Sequence, residues 1–465
     1  MFSALSHWWQ QLGHSGRASR SRRSRATCRP RLEALEDRCV PALLLVKSSA
    51  DDVNLAGTLR WAVAKAQSGD VIEILPAVGG PQHITLTQGE LLLKHNVVIE
   101  SAGPGDATID GNNSSRVFEI APDVTVYLDN LFIVGGNAKA HTSGNSNLDG
   151  DGGGILNEGK LFMQHCWVLG NGINGETGSN GVVQKGGGIY NDHGYLNVYG
   201  GVVDENFAAL AGGGIYNDAG ILAMAFTNAN FNSTNGTGGA IASIDSNTVL
   251  LQSYTVLLQT CFLNQNTADL GGALYNQNGG NTWVNQCTLI DNQANSGGGM
   301  YNKAGHLIVS NSSSLSLNTA KQDGGAIYSY GGEVDVSNSR LVKNSAGGVG
   351  GGIYDDTSKV FVESSHLDSN SALAGGGIYN YQGNVRVDQT DLAGNSTSFF
   401  GGGIANFEGT VWVSASQLIG NSAPVGGGIF NSLGTVKVGT TLFQMNTPDG
   451  ATTSRCSERW FGRSG

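Results

Sequence analysis

One six-residue pattern returns eleven times between residues 152 and 431 and governs what this chain can fold into. Its first two positions are glycine, the third is glycine or alanine, the fourth is apolar, the fifth varies and the sixth is polar, as in GGGIYN. The apolar fourth position is held by Ile155, Ile189, Ile215, Ile241, Leu274, Met300, Ile327, Ile353, Ile378, Ile404 and Ile429. Most intervals are 25 to 27 residues, and two of 34 and 33 residues indicate insertions. Self-similarity at such a period is the signature of a stacked repeat protein.

Each period also contains short strand-like segments. Pairs such as Leu307/Val309 and Val334/Val336 have the alternate spacing of a strand with one buried face. A third segment carries a leucine three residues before an asparagine. Segments this short bury no core alone, and about 26 residues leave no room for crossover helices. Stacking each period on the next pairs equivalent strands in parallel, roughly 4.8 Å apart, with the right-handed connection that parallel strands favour. The predicted fold is all-β: a single-stranded right-handed parallel β-helix with three short strands per coil.

Two polar columns follow from the same register. Asparagines recur at 171, 206, 232, 266, 292, 318, 344, 370, 395, 421 and 446. Five residues before each lies a small side chain: Cys166, Gly201, Thr227, Cys261, Cys287, Ser313, Ser339, Ser365, Thr390, Ser416 and Thr441. Stacked asparagines can pass side-chain hydrogen bonds from coil to coil. We therefore expect an asparagine column at one corner and an inward column of small residues.

Cys261 and Cys287 are one period apart in the column of small residues. Their Cα atoms should lie about 4.8 Å from each other, which a disulfide tolerates. Parallel side-chain directions are poor geometry for a bridge, so two stacked buried thiols are favoured over a disulfide. The six cysteines otherwise show no metal-binding spacing.

The regular repeat divides the chain into four segments. Residues 1–42 form a basic leader, predicted to be disordered or processed, and residues 43–135 form an N-terminal cap with the first irregular coils. Apolar residues at helical spacing in 59–66 predict a short helix that covers the open end of the solenoid. Residues 136–446 form the regular β-helix, and 447–465 lack periodic apolar positions and are predicted to be a disordered tail.

The charge distribution excludes some classes of partner. Residues 1–42 hold eight arginines and three acids, which give this segment a net charge of +5. Because the whole chain has a net charge of −11, the remaining residues carry −16. An acidic body is unsuited to phosphate recognition, which argues against nucleic acid as a partner. The apolar stretch Ala42–Val46 is far below the roughly 20 residues that span a bilayer. No cofactor motif is present.

The insertions are the first place to look for binding. The gaps from Asn137 to Ile155 and from Asn171 to Ile189 are both 18 residues, so loops 138–151 and 172–186 should bulge side by side at one corner. A solvated pair of loops without a ligand is the alternative. The weak ligand-binding candidates are Asp149, Asp151, Glu176 and Lys185.

A partial calcium motif overlaps the first loop. Asn145 to Gly150 resembles half of a calcium-binding loop, but the twelfth position is Leu156 rather than glutamate. No metal ligand is therefore assigned.

Catalysis has only one sequence candidate. Glycoside hydrolysis needs paired carboxylates, and Asp355 and Asp356 are tandem acids at the end of one hexapeptide. They occupy positions where neighbouring repeats have an asparagine and the residue beside it. The favoured interpretation is therefore that Asp355 replaces an asparagine in a column of stacked polar side chains. No catalytic residue is assigned.

A tyrosine follows the inward apolar residue in many coils, namely Tyr190, Tyr216, Tyr275, Tyr301, Tyr328, Tyr354 and Tyr379. This outward stripe is either a platform for sugar rings or a self-stacked column. Stacking between identical neighbours on adjacent coils is the favoured interpretation.

The GGGIYN-type hexapeptides with preceding Leu-x-x-Asn segments, over Gly152–Asn446, resemble the repeats of polymorphic outer membrane proteins and related pectin-lyase-fold proteins. Residues 57–62, 69–72 and 108–112 are similar to the start of bacterial right-handed β-helix surface proteins. Residues 29–42 resemble the arginine-rich leader of many planctomycete exported proteins. These resemblances imply that the chain carries an export signal and is exposed at the cell surface, including the outer membrane. Proteins of this kind often have adhesive roles.

The predicted function is therefore a secreted or cell-surface structural, adhesin-like protein that binds extracellular polysaccharide or protein and is not an enzyme. Parallel β-helices also host polysaccharide lyases and glycoside hydrolases, so activity on acidic polysaccharide is the alternative.

Overall fold

The computed structural model describes residues 41–102, 107–138, 150–172, 183–244 and 254–447, and the backbone of 451–454. They form a right-handed parallel β-solenoid of about 14 turns, which confirms the predicted fold. Each regular coil passes through three stacked parallel sheets in the order 1, 2, 3. The structure adds a short fourth sheet between sheets 2 and 3 that the sequence pattern did not indicate.

Sheet 1 contains 15 strands in the described residues. They are β1 (Leu43–Val46), β2 (Val71–Ile74), β5 (Val97–Ser101), β8 (Thr125–Asp129), β11 (Lys160–Gln164), β14 (Tyr195–Tyr199), β18 (Ile221–Ala225), β21 (Val256–Gln259), β23 (Asn281–Asn285), β27 (His306–Ser310), β31 (Glu333–Ser337), β35 (Lys359–Glu363), β39 (Asn384–Asp388), β43 (Thr410–Ser414) and β46 (Thr435–Val438).

Sheet 2 has a block of five strands and a block of seven, and isolated bridges through Asn228 and Phe262 connect them. The first block is β3 (His83–Thr85), β6 (Ala107–Asp110), β9 (Leu131–Val134), β12 (Trp167–Leu169) and β15 (Val202–Asp204). The second is β24 (Thr288–Ile290), β28 (Ser314–Ser316), β32 (Arg340–Val342), β36 (His366–Asp368), β40 (Asp391–Ala393), β44 (Gln417–Ile419) and β47 (Leu442–Gln444).

Sheet 3 contains 14 strands in the described residues, and eleven of them, β10 to β45, come from the hexapeptides. They are β4 (Leu91–Leu93), β7 (Phe118–Ile120), β10 (Ile155–Asn157), β13 (Ile189–Asp192), β17 (Ile215–Asp218), β20 (Ile241–Ile244), β22 (Leu274–Gln277), β26 (Met300–Lys303), β30 (Ile327–Tyr330), β34 (Ile353–Asp356), β38 (Ile378–Tyr381), β42 (Ile404–Phe407), β45 (Ile429–Ser432) and β48 (Ala451–Ser454).

Sheet 4 lies directly after the asparagine corner. Its strands are β16 (Phe207–Ala208), β19 (Ser233–Thr234), β25 (Gln293–Ala294), β29 (Thr319–Ala320), β33 (Ser345–Ala346), β37 (Ser371–Ala374) and β41 (Ser396–Phe400).

The predicted asparagine column stands at the corner between sheets 2 and 4. Asn318 donates its backbone N–H to Oδ1 of Asn344 at 3.0 Å, and Asn344 donates to Asn370 in the same way at 2.9 Å. The Nδ2 of Asn344 also donates to Asn370 Oδ1 and to the carbonyl of Leu315. All three asparagines are fully buried. Each side chain thus satisfies backbone that turns too sharply to join a sheet.

A second internal column, which the sequence pattern indicated only for Asp355, comes from the last residue of the hexapeptide. Asn157 donates its Nδ2 to Asn191 Oδ1 at 2.6 Å, and Asn191 donates to Asn217 at the same distance. These residues are buried beside the apolar core rather than exposed. The signal was the repeated polar residue two positions after a buried one, because alternate strand residues share a face.

Different steric constraints require a small residue at each of the first three positions of the hexapeptide. Gly297, at the first position, has φ of +66°, and a Cβ there would lie 2.4 Å from the Met300 carbonyl oxygen. At the second position, a Cβ on Gly298 would lie 2.4 Å from the Gly325 oxygen of the next coil. The third position, Gly299, is slightly less tight at 2.7 Å, and other coils place alanine there. The first position therefore needs glycine for its own backbone conformation, and the second needs it because the next coil approaches too closely for a side chain.

The predicted N-terminal helix is confirmed as α1 (Leu59–Lys65). Thr58 is its N-cap, and its hydroxyl accepts a hydrogen bond from the Trp61 N–H at 3.2 Å. Leu59 and Ala62 are fully buried in the same core as the strands, and α1 contacts β1, β2 and β4. The helix thus packs onto the first coils.

The cysteine interpretation is also confirmed. Cys261 and Cys287 are free, buried thiols, and the Cys261 backbone N–H points at Cys287 Sγ at 3.3 Å. The column of small residues continues this pattern, because Cys287 N–H donates to Ser313 Oγ at 3.1 Å. Small polar side chains in this column accept hydrogen bonds from backbone N–H groups of the preceding coil.

The C-terminal prediction is wrong at one point. Beyond Asn446, where periodic apolar residues stop, β48 still pairs in parallel with β45 in register Ile429 to Ala451. Backbone pairing at a sheet edge needs no apolar side chain, so the apolar pattern underestimates its extent. Predictions for residues 1–40 and 455–465 fall outside the described residues.

Candidate functional site

The two consecutive insertions leave and rejoin the solenoid at one corner. On the leaving side, Gly172 N–H donates to the Gly136 carbonyl at 2.8 Å. On the rejoining side, Gln184 N–H donates to Gly150 oxygen at 2.7 Å, and Gly152 N–H donates to Lys185 oxygen at 2.9 Å. The bases of the two loops are therefore adjacent, as predicted, while residues 139–149 and 173–182 lie outside the described part of the chain.

The structure brings together two of the four candidate residues. Asp151 Oδ1 accepts a hydrogen bond from the Lys185 backbone N–H at 3.0 Å. Asp149 and Glu176 lie outside the described residues. The Asp151 side chain is only 5% exposed, and burial raises its pKa to about 6, although Lys185 and Arg116 oppose that rise.

Arg116 is the residue that holds this corner, and sequence reasoning missed it. Its guanidinium is fully buried, and Nη2 donates to the Asp151 carbonyl oxygen at 2.8 Å. Its Nη1 contacts Glu90 at 2.8 Å and Glu119 at 3.2 Å. Burial and the nearby Glu119 carboxylate raise the pKa of Glu90. Arg116 lies in an irregular coil, so no periodic signal marked it.

Charged side chains and two buried tyrosines adjoin the loop bases. The Lys185 ammonium lies 5.0 Å from the centre of the Tyr216 ring and 5.9 Å from that of Tyr190. The Tyr190 hydroxyl donates to Asp218 Oδ2 at 2.9 Å. Burial and the Asp218 charge raise the pKa of Tyr190, so the hydroxyl remains a donor. Asp151, Lys185, Tyr190, Tyr216 and Asp218 form what we call the loop-base cluster. Tyr190, Tyr216 and Asp151 are buried, so the half-buried Lys185 and Asp218 are the charged groups of this cluster that a polar ligand can reach.

The tyrosine stripe stacks on itself, as favoured. The rings of Tyr301 and Tyr328 are 4.5 Å apart with planes within 7°, and those of Tyr275 and Tyr301 are 5.5 Å apart. Tyr379 continues the column onto Phe407 at 5.2 Å. Ring faces in this stack contact other rings, so they do not form a platform for sugar rings.

Asp355 is a column residue, which confirms its favoured interpretation. It is in register with Ser329 on one side and Asn380 on the other, and it is fully buried. Its Oδ1 accepts from Ser358 N–H at 2.8 Å, while Oδ2 has no donor within the described chain. Burial raises its pKa to about 7. Asp356 lies on the opposite, outward face, so the two carboxylates do not converge.

The fold and its internal columns define the chain as a parallel β-solenoid protein. No protein-family model matches the sequence, and no curated protein matches it significantly. Within the described residues, no helix has the length and hydropathy needed to cross a bilayer.

Proposed function

We propose that this chain is an exported, non-catalytic surface protein in which the solenoid is a rigid scaffold for loops 138–151 and 172–186. The loops bind a polysaccharide or protein on another cell or in the extracellular matrix. The observation that carries this proposal is the hydrogen bonding between the two loop bases, Gln184 to Gly150 and Gly172 to Gly136. Loops that interrupt a regular solenoid side by side form one continuous surface.

The loop-base cluster suits a polar ligand. Lys185 is half-buried over two aromatic rings, so its charge is partly desolvated and available to an acidic group. Arg116 anchors the backbone of Asp151 from inside the solenoid. A site supported in this way loses little conformational entropy on binding.

Export and surface exposure rest on the resemblances. The repeat over Gly152–Asn446 is similar to that of polymorphic outer membrane proteins, and residues 29–42 are similar to leaders of exported proteins. The absence of a catalytic role for Asp355 is supported by its full burial. Asp151 favours the alternative, a polysaccharide-cleaving enzyme, because a pKa of about 6 suits a general acid.

The test replaces residues 139–149 and 173–182 with short turns like those of the regular coils. Binding of the intact chain and the variant is measured on a glycan array and on whole cells. The matched control shortens the third insertion, residues 245–253, which follows sheet 3 rather than sheet 2. We expect binding to disappear in the double-loop variant alone, with circular dichroism unchanged in both.

Equal binding by the double-loop variant would refute the assignment of the ligand site to these loops. Acidic polysaccharides incubated with the intact chain supply the second readout. Formation of unsaturated or reducing ends, abolished by Asp151→Asn, would establish the enzyme alternative.

A further inference from the structure

Three metal-binding side chains meet on the outer face of sheet 1, far along the chain from the loop-base cluster. His306 begins β27, and Glu333 begins β31 on the next coil, directly in register with it. Asp335 is two residues beyond Glu333, so both carboxylates project from the same face. One ligand atom from each residue lies within 4.8 Å of the others. All three side chains are half-buried.

One pair of these atoms is already close to the spacing of ligands around a small ion. His306 Nε2 lies 2.9 Å from Asp335 Oδ2. Two ligands about 2.0–2.1 Å from a tetrahedral ion are roughly 3.3 Å apart. Binding an ion between His306 and Asp335 therefore requires shifts of a few tenths of an ångström, and Glu333, whose ligand atom lies within 4.8 Å of the other two, completes the site by a change of its side-chain rotamer. The Glu333 carboxylate makes no hydrogen bond or ion pair of its own within the described residues.

The sheet makes this arrangement rigid. β27 and β31 pair at four successive positions, from His306 with Glu333 to Val309 with Val336. Leu307 and Val334, between the outward residues, are fully buried in the core. Ligands on rigid strands are held in place before the ion arrives, which lowers the entropic cost of binding.

We propose that His306, Glu333 and Asp335 bind a divalent transition-metal ion of the Zn²⁺ class. One imidazole with two carboxylates suits zinc, cobalt or nickel, whereas calcium and magnesium prefer all-oxygen shells. Three protein ligands leave a coordination position for water or a ligand atom.

A neighbouring cation sharpens the prediction. Lys359 is in register with Glu333 on the following coil, and it is exposed. Its ammonium group repels a bound cation. Lys359→Gln should therefore strengthen metal binding, an effect that a merely structural role of the three ligands would not produce.

The test is isothermal titration of ZnCl₂ into the full chain without a polyhistidine tag, after alkylation of accessible thiols. We expect one site per chain, weakened about tenfold or more by His306→Ala and by Glu333→Gln. The matched control is His366→Ala, which removes a similar pair, because His366 Nδ1 lies 3.3 Å from Asp391 Oδ2. Among the described residues that pair has no third ligand.

Cobalt supplies a direct readout, because its visible absorption reports bound imidazole and carboxylate. The proposal is overturned if the intact chain takes up no Zn²⁺ or Co²⁺, or if His306→Ala and Glu333→Gln bind as tightly as the intact chain. All variants change half-buried or exposed side chains, and circular dichroism verifies their fold.

Discussion

Replacing Asp355 with asparagine should stabilise the solenoid at neutral and alkaline pH. Asp355 stands in an internal column in which asparagines pass an amide hydrogen bond to the next coil, as Asn380 Nδ2 does to Asn406 Oδ1 at 2.7 Å. The carboxylate has no proton to pass to Asn380, and its Oδ2 lacks a donor in the described structure. Asparagine supplies the missing Nδ2 in the same shape.

The magnitude follows from the pKa of Asp355, which burial raises from 3.8 to about 7. Because the folded state favours the protonated form, this stabilisation is complete below pH 3.8 and is lost as pH rises to about 7. Each pKa unit corresponds to about 1.4 kcal/mol, so ionisation costs the folded chain about 4 kcal/mol above pH 7. Asp355→Asn should recover a large part of that free energy at pH 8 and little at pH 4.

Urea unfolding followed by tryptophan fluorescence at pH 4, 6 and 8 measures the effect. The matched control is Asp356→Asn on the same strand, because Asp356 lies on the outward face and is only half-buried. We expect all three chains to lose stability as pH rises, because Glu90 and Asp151 ionise in each of them, but Asp355→Asn should lose about 4 kcal/mol less than the intact chain and Asp356→Asn. Parallel pH profiles for the intact chain and Asp355→Asn would refute the reasoning.

Two further substitutions test the internal packing. Asn344→Ala leaves the donors of Asn318 and the Leu315 carbonyl without partners. The free energy of unfolding, measured in urea, should therefore fall by about 3 kcal/mol or more. A fall of less than about 1 kcal/mol would contradict the structural role of the column. Gly298→Ala should destabilise the chain far more than Gly299→Ala, because the second glycine faces a carbonyl at 2.4 Å and the third position accepts alanine in other coils. Equal thermal midpoints for these two variants would show that the coils can move apart.

The sequence predicted regular coils well and irregular ones poorly. The apolar residue at the fourth hexapeptide position and the asparagines of the corner column repeat at one period, so their alignment followed from counting residues. Arg116 and its partner Glu90 are also one coil, 26 residues, apart, but they lie in the N-terminal coils, where no repeated residue sets the register. Nothing local marks them as contacts, because their proximity depends on the path of the intervening chain.

Register changes also kept the sequence from indicating that His306, Glu333 and Asp335 lie together. His306 and Glu333 are 27 residues apart, one more than the usual period. The sequence shows that a residue has been added but not in which turn it is accommodated. Only the folded chain decides this, because every turn of a solenoid can absorb an extra residue at its surface.

The sequence by itself determined the solenoid, the inward columns and the corner from which the paired loops emerge. Those features depend on strand alternation and on the coil period, both of which are properties of spacing alone. The tertiary structure decided which outward side chains meet: that tyrosine faces are covered by each other, that Asp151 is buried against Lys185, and that Asp355 lacks a donor. These depend on distances between coils and on burial, which the spacing of residues along one chain does not contain.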